Sequence, residues 1–320
     1  MMENQPLVSV PVITYNSSKY VIETLESIKF QTYQNLELIV SDDCSTDNTV
    51  ELCRNWIEKN KGRFVRTELL TVEKNTGVSE NCNRAKEACK GEWVKGIAGD
   101  DLLVPECVEI CVNYIKEHPE TIYLFGRQNA FGADEERCKQ VNEVFDYTFF
   151  DLTIEEQLHK LIFDRNCIPA TAAFYNKRRF EETGVKNDER IPLLEDWPKW
   201  INLLKVGVRF EFVDKVLVKY RIGGISTSGT MFNSKYYFAN RAFCFYYQFP
   251  EWFASNEKEA IDRMLSEEMR IYQMAFNLDR QLTSVRKSKA YRLGKNIIRP
   301  FSWLRSIFIL CYQPNKSAQK

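Results

Sequence analysis

The chain has 320 residues, 44% hydrophobic and 28% charged, the composition of a soluble globular protein. Its 44 basic side chains equal its 44 acidic ones, so the net charge gives no argument for a nucleic acid partner. Two histidines and ten cysteines without a CxxC pair argue against zinc chemistry and a Ser-His-Asp triad, and the scattered cysteines predict a reducing cytoplasm.

The first hundred residues alternate short runs rich in β-branched residues with amphipathic stretches. This alternation is typical of parallel strands joined by helical crossovers. Pro11 lies inside the first run and predicts an irregular edge or a bulge there. The predicted strands are residues 8–15, 36–40, 63–72 and 92–98, and the predicted helices are residues 19–31, 47–60 and 79–89.

The second half is predicted to continue as a mixed α/β structure. We expect helices near residues 105–116, 153–163 and 195–205, strands at IYLFG and near residues 168–175, and a polar segment from Gln128 to Glu143. The runs VGVRFEFV and KVLVKYR predict a closing pair of strands. From about residue 231 the chain becomes helical and aromatic-rich, so we expect a catalytic domain over residues 1–230 and a helical region over residues 231–320.

Polar residues follow each of the first four predicted strands. Ligands of open α/β sheets bind beyond the carboxyl ends of the strands, so these residues are the candidates for a site. Two of the four ends carry paired carboxylates, Asp42–Asp43 and Asp100–Asp101. Asp and Gly also favour turns, so a turn without a ligand is the alternative reading of GIAGDDLLVP.

Three stretches resemble the opening half of the family 2 glycosyltransferases with the GT-A fold. They are VSVPVITYN, then YVIETLESIKFQTYQNLELIVSDDCSTDNTVEL, and then NTGVSENCNRAKEACKGEWVKGIAGDDLLVP. They cover about the first 110 residues in order and with the spacing of that family. The resemblance implies a GT-A, Rossmann-like α/β fold and inverting transfer of a sugar from a nucleotide donor.

By this resemblance the first two strand ends hold a nucleotide-sugar, expected to be UDP-linked. Thr14 and Tyr15 then line the base, and Asp43 accepts a hydrogen bond from it, since the uracil N–H suits a carboxylate and Tyr15 offers a flat face. The alternative for Asp42 and Asp43 is a helix N-terminal cluster. The nucleotide-binding residues implied by the match are Thr14, Tyr15, Asn16, Asp43, Asn75, Gly77, Asn83 and Asp100.

The GDD segment matches the position of the metal motif of the family. Asp100 and Asp101 are the implied ligands of Mg²⁺ or Mn²⁺, which would neutralise charge on the departing diphosphate. The sequence departs from the family pattern at Ala98, Cys82 and Gly223. Ala98 and Gly223 replace two usual metal contacts, so a weakly bound ion is expected. With Cys82 in the place of an arginine, a diphosphate contact has to come from another residue, such as Arg84 or Lys86.

The segment LLEDWPKW resembles the family motif that carries the catalytic base. By that match Asp196 removes the proton from the acceptor hydroxyl, with Glu195 and Trp197 beside it. Acidic residues in a first helical turn are also common for electrostatic reasons alone. The implied enzyme transfers a hexosyl or N-acetylhexosaminyl group to a glycan or lipid-linked oligosaccharide, in the synthesis of bacterial surface polysaccharide.

The basic, apolar stretch after Val285 is too short and too interrupted by Arg299 and Arg305 to span a membrane. It predicts either an interfacial helix on an anionic membrane or a helix packed on the catalytic domain. The expected location is therefore the cytoplasm, with peripheral attachment to the inner face of the cell membrane as one alternative. A sugar nucleotidyltransferase and a catalytically decayed binding protein are the rival functions; the first lacks its glycine-rich loop in ITYNSSKY.

Overall fold

The structure, a computed structural model, describes residues 5–163, 166–189 and 195–223. The predicted boundary at residue 230, the helical C-terminal region and its basic tail lie outside these residues. Among the described residues, no helix is long and apolar enough to cross a membrane.

Three parallel strands form the first half of the sheet. They are β1 (Val8–Thr14), β2 (Leu36–Asp42) and β3 (Arg66–Thr71), and β1 and β2 are paired without a break from Val8 with Leu36 to Thr14 with Asp42. The crossovers are α1 (Val21–Lys29), α2 (Thr49–Asn60) and α3 (Val78–Ala88). The predicted alternation of strands and helices is therefore confirmed, and all three strands end at the same edge.

The predicted fourth strand is two short strands with a gap. They are β4 (Trp93–Val94), which pairs with Val8–Ser9, and β5 (Ile97–Ala98), which pairs with Val12–Ile13. The carbonyls of Ser9 and Ile13 accept hydrogen bonds from that side, so Pro11 faces the gap. The prediction of a bulged or edge strand at Pro11 was wrong, because β1 is central and the irregularity lies in its neighbour.

The second half adds antiparallel and mixed pairs to the sheet. Its elements are β6 (Leu102–Leu103), α4 (Cys107–Glu117), β7 (Tyr123–Phe131), α5 (Glu135–Val144), α6 (Ile154–Phe163), β8 (Ala173–Asn176), α7 (Lys177–Glu182), α8 (Trp197–Lys205) and β9 (Phe210–Arg221). The strand order is β3-β2-β1-β4-β8-β7-β9-β6, with β5 beside β1. The polar segment after Gln128 is thus the end of β7 followed by α5.

The predicted closing pair of strands is one strand. β9 runs through Asp214, the residue between the two predicted strands, and it pairs with β7 in parallel. A register shift lies between Phe125 and Arg127, where Gly126 leaves room for the side chain of Leu217. An exposed ion pair joins Asp214 to Arg127 on the neighbouring strand.

Both faces of the sheet are covered. The cluster on one face joins β1 and β2 to α1, α2 and α4, for example through Val10, Leu25 and Cys111. The cluster on the other face is aromatic and joins β7 and β9 to α6 and α8. There, Trp200 meets Phe125 edge-on with ring centroids 5.2 Å apart. A sheet covered on both faces leaves its carboxyl edge as the open surface for a ligand.

Candidate active site

The ends of β1 and β2 are joined by buried hydrogen bonds. The Thr14 hydroxyl donates to Asp42 Oδ2 (2.8 Å), and the backbone N–H of Asp43 donates to the Thr14 carbonyl (3.0 Å). Asp42 also accepts from the backbone N–H (2.8 Å) and the hydroxyl of Ser45. The hydroxyl of Thr14, a predicted base-lining residue, therefore donates its hydrogen bond to the protein.

The loops after these two strands form one unit. Asn16 has a positive φ of 51°, and its backbone N–H donates to Ser45 Oγ (2.8 Å). Its side-chain oxygen accepts from the Thr46 backbone N–H (2.8 Å). Tyr15 lies half-buried between these bonded residues. The structure thus fixes the backbone on both sides of Tyr15.

The Asp43 carboxylate is surrounded by protein donors. It accepts from the Thr76 N–H (3.0 Å) and hydroxyl (2.6 Å), the Gly77 N–H (2.8 Å) and Arg84 Nη2 (3.1 Å). Gly77 has a φ of 92°, and the Asn75 side chain donates to the Asp43 carbonyl (3.0 Å). The structure therefore brings together Asp43, Asn75 and Gly77, as predicted.

Arg84, suggested as a diphosphate contact, lies instead beside Asp43. Its guanidinium also donates to Ser41 Oγ (3.1 Å) and Asn81 Oδ1 (2.9 Å). The other suggested residue, Lys86, holds its ammonium 4.7 Å from the centroid of the Phe180 ring, and burial lowers its pKa. Both cations therefore have protein partners that the sequence did not reveal.

Asp100 and Asp101 form the turn after β5, and both are nearly buried, with exposed fractions of 6% and 2%. Asp101 Oδ1 accepts from the Arg221 backbone N–H (2.8 Å), and the Asp100 carbonyl accepts from Arg221 Nε (2.7 Å). The Arg221 guanidinium lies 4.3 Å from the Tyr20 ring centroid and 4.5 Å from that of Phe131. The last residue of β9 thus holds the acidic turn.

The donor set of this turn fits a hard cation. Burial and the neighbouring Asp100 charge raise the pKa of Asp101 well above its usual range, so the two carboxylates lack enough countercharge from the protein. Among the described residues, no group of three His, Cys, Asp or Glu side chains could hold a metal ion. A cation here would therefore complete its shell with diphosphate and water oxygens.

Asp196 is the N-cap residue of α8. Its Oδ1 accepts from the Trp197 backbone N–H (2.7 Å), and its Oδ2 accepts from Asn166 Nδ2 (2.7 Å). Burial and the Asp196 charge raise the pKa of the adjacent Glu195 to about 7. At neutral pH the pair is therefore only partly charged, and Asn166 fixes the direction of the Asp196 carboxyl group.

Two residues of α3 face the second half of the chain. Burial raises the pKa of the Cys82 thiol to about 12, and the charges of Glu195, Asp196 and Asp43 act on it as well. Asn83 is buried, and its amide donates to the Asn187 carbonyl (3.1 Å) and to Glu189 (3.0 Å). The structure places Asn83 against the loop after α7, whereas Thr14, Asn75 and Gly77 contact Asp43.

Asn166 and Arg221 are site residues that sequence reasoning missed. Arg221 ends the run KYR, and its position at the end of a strand was a usable signal. Asn166 lies in a connecting loop without a motif, so only the fold brings it to Asp196. Both act on predicted site residues through hydrogen bonds rather than by sequence proximity.

The family model of glycosyl transferase family 2 matches residues 9–184, more than half of the chain. An uncharacterized glycosyltransferase of Haemophilus influenzae is 28% identical over 231 residues, which are 71% of this chain and 69% of that protein. The glycosyltransferase GlyG of Streptococcus pneumoniae is 29% identical over 194 residues, 58% of this chain and 61% of GlyG. The chain thus spans about two thirds of the length of these relatives.

The fold is similar to that of TarS from Staphylococcus aureus. The structure of TarS residues 1–349 in complex with UDP-GlcNAc has a TM-score of 0.59 at 21% sequence identity, covering 82% of this chain and 71% of that one. The same TarS fragment in complex with UDP has a TM-score of 0.58 at 20% identity. This likeness confirms the predicted GT-A type of α/β fold.

Proposed function

Since this chain belongs to glycosyl transferase family 2, we propose that it transfers a hexosyl or N-acetylhexosaminyl group, with inversion, from a UDP-linked donor to a hydroxyl group. The observation that carries the proposal is the arrangement along the carboxyl edge of the sheet. There, the Asp43 cluster, the Asp100–Asp101 turn and the Asp196 carboxyl group each come from a different strand end or helix start.

The nucleotide is proposed to lie against the joined loops after β1 and β2. The fixed backbone on both sides of Tyr15 presents its ring to a base at low conformational cost. Asp43 would accept the N–H of the base only by sharing its carboxylate with Thr76, Gly77 and Arg84. Asn16 joins the loops after β1 and β2, and Asn75 joins the loop after β3 to Asp43.

Asp100 and Asp101 are proposed to hold Mg²⁺ or Mn²⁺. When bound, such a cation neutralises charge that develops on the departing nucleoside diphosphate. The protein prepares this turn by fixing the Asp101 carboxylate with the Arg221 N–H and the Asp100 carbonyl with the Arg221 side chain. The two carboxylates are the direct ligands, and Arg221 is a positioning residue.

Asp196 is proposed as the catalytic base. An acceptor hydroxyl oxygen forms a bond to the anomeric carbon as the bond from that carbon to the diphosphate oxygen breaks, and the hydroxyl proton passes to Asp196. Asn166 holds Oδ2 and the helix N-terminus holds Oδ1, so the carboxyl group keeps one orientation during the transfer. Glu195 is protonated below a pH of about 7, which limits repulsion beside the base.

The acceptor is proposed to be a glycan or a lipid-linked oligosaccharide of a cell-surface polysaccharide. The relatives support this class: the chondroitin synthase of Escherichia coli is 32% identical over 117 residues, 36% of this chain and 16% of that protein. Attachment to an anionic membrane surface through the basic tail remains a prediction about residues outside those described.

Calorimetric titration of UDP with and without Mn²⁺ tests the proposal. We expect metal-dependent binding to the wild type that Asp101→Ala removes, and no binding under either condition would contradict a UDP site. Asp196→Asn should keep UDP binding and the cap of α8 but abolish transfer. A wild type that binds UDP and neither transfers nor hydrolyses any UDP-sugar would favour the decayed binding protein, which Ala98, Cys82 and Gly223 suggest.

A further inference from the structure

The inner face of α1 carries polar side chains beside apolar ones. Val21, Leu25 and Ile28 pack into the core, as expected of a helix that covers a sheet. Thr24 is also completely buried, and the half-buried Ser27 follows it three residues later on the same face. A polar group at such a position is unfavourable unless its hydrogen bonds are formed, so these two hydroxyl groups need partners.

Both hydroxyl groups find their partners in the backbone of the Asp100–Asp101 turn and of β6. Thr24 Oγ1 donates to the Asp101 carbonyl (2.8 Å), and Ser27 Oγ accepts from the Leu103 N–H (3.1 Å). Leu103 belongs to β6, which pairs with β9 along its other edge. Side chains of α1 therefore bond to this segment where a neighbouring strand would otherwise do so, and one of these bonds falls on a predicted cation ligand.

The start of α1 also contacts Arg221, the residue that holds the acidic turn. The Arg221 guanidinium donates to the Glu23 carboxylate (2.7 Å) and lies 4.3 Å from the centroid of the Tyr20 ring. The Glu23 carboxylate is exposed, and ion pairs of this kind add little stability. Thr24 differs from both residues because its hydrogen bond to the turn is direct and buried.

Asp101 is held at its backbone and at one carboxylate oxygen. Its carbonyl accepts from Thr24, and its Oδ1 accepts from the Arg221 backbone N–H (2.8 Å). Its Oδ2 accepts no hydrogen bond from the residues that the structure describes. Since neighbours that orient a ligating side chain are part of a metal site, the two fixed atoms leave Oδ2 as the oxygen that Asp101 can offer to a cation.

We propose that Thr24 is a positioning residue for the divalent cation and acts by fixing the backbone of Asp101. Without its hydroxyl the Asp101 carbonyl loses a buried donor, and the residue is held through Arg221 alone. The affinity for the cation then falls, because a ligand that is free to move must be ordered when the ion binds. This inference rests on the proposed function, in particular on a cation at Asp100 and Asp101.

Thr24→Val tests the inference, with Thr24→Ser and Ser27→Ala as matched controls. Valine has the shape of threonine without the hydroxyl, serine keeps the hydroxyl, and Ser27→Ala removes the neighbouring hydroxyl on the same helix face. We would titrate UDP calorimetrically into the full chain without Mn²⁺ and over a series of Mn²⁺ concentrations, and record melting temperatures. If Thr24→Val does not fold, Thr24→Ala replaces it, since alanine places no methyl group against the carbonyl.

The measured quantity is the Mn²⁺ concentration that gives half of the metal-dependent gain in UDP affinity. We expect Thr24→Val to raise this concentration about fivefold and Thr24→Ser to recover most of the loss. Metal-free UDP affinity should change less than twofold, because the loops after β1 and β2 keep their own hydrogen bonds. Ser27→Ala should lower the melting temperature and change the Mn²⁺ requirement less than twofold.

An unchanged Mn²⁺ requirement in Thr24→Val would overturn the inference, as would an equal rise in Ser27→Ala, the sign of a general loosening of β6. A wild type whose UDP affinity does not depend on Mn²⁺ would overturn the cation site and this inference while the UDP site stands. A wild type that binds no UDP would overturn the proposed function first, and this inference with it.

Discussion

Replacing Asp43 by Asn separates its structural role from recognition of the base. The carboxylate accepts from four protein donors on Thr76, Gly77 and Arg84, and an amide keeps one acceptor oxygen. About two donors then lose their partner, and at about 1.5–3 kcal/mol for each bond to a charged group the free energy of unfolding should fall by about 3–6 kcal/mol. That is a large fraction of the stability of a typical domain.

Urea unfolding of Asp43→Asn measures this loss directly. Asp214→Asn is the control, because that exposed carboxylate has one surface ion pair, with Arg127, and pairs of this kind add little stability. A loss below about 1 kcal/mol for Asp43→Asn, together with abolished UDP binding, would refute the structural reasoning and leave Asp43 as a residue that reads the base.

Three further predictions concern stability. Arg63 donates from its guanidinium group to the carbonyls of Lys29, Gln31, Tyr33 and Gln34. Arg63→Ala should therefore lower the free energy of unfolding, measured in urea, by about 2 kcal/mol. Arg63→Lys should recover little of this loss, because an ammonium group lacks the several fixed N–H donors of a guanidinium group. Burial alone would raise the pKa of Glu37, but hydrogen bonds from Ser9, two backbone N–H groups and Arg66 lower it. The contribution of Glu37 to stability is therefore complete above its unfolded pKa, and it is lost as the pH falls through the lower folded pKa. Glu37→Gln should make the free energy of unfolding less dependent on pH in acid. An unchanged pH dependence in acid would contradict this. The folded pKa of Glu195 is about 7 against a usual 4.5, so stability falls as the pH rises between these values. Glu195→Gln should therefore raise the free energy of unfolding by about 3 kcal/mol at pH 8 and leave it unchanged at pH 4. Equal effects at both pH values would contradict this.

The strand ends were predictable because one rule governs them. Parallel strands finish at the same edge, and the apolar runs mark where each strand stops. This was enough to bring Asp43, Asn75 and Gly77 together and to place Asp100 and Asp101 at a turn.

The partners of those residues were not predictable from local patterns. Asp43 meets Arg84 across 41 positions of sequence, and Asp101 meets Arg221 across 120. The single strand β9 was predicted as two because Asp214 separates two apolar runs, whereas β9 pairs with β7 on both sides of Asp214. In each case the deciding interaction is long-range.

The gap between β4 and β5 brings Pro11 and Lys95, which are distant in sequence, to the same part of the sheet. Pro11 has no N–H to donate into the gap, and Lys95, fully buried, donates there from its side chain to the carbonyls of Gly96 (3.0 Å) and Thr171 (2.5 Å). A chain with one continuous strand from residue 93 to residue 98 would need a backbone donor at position 11, which proline does not have. In the divergence of such chains, a proline at position 11 should therefore occur together with an interrupted neighbouring strand.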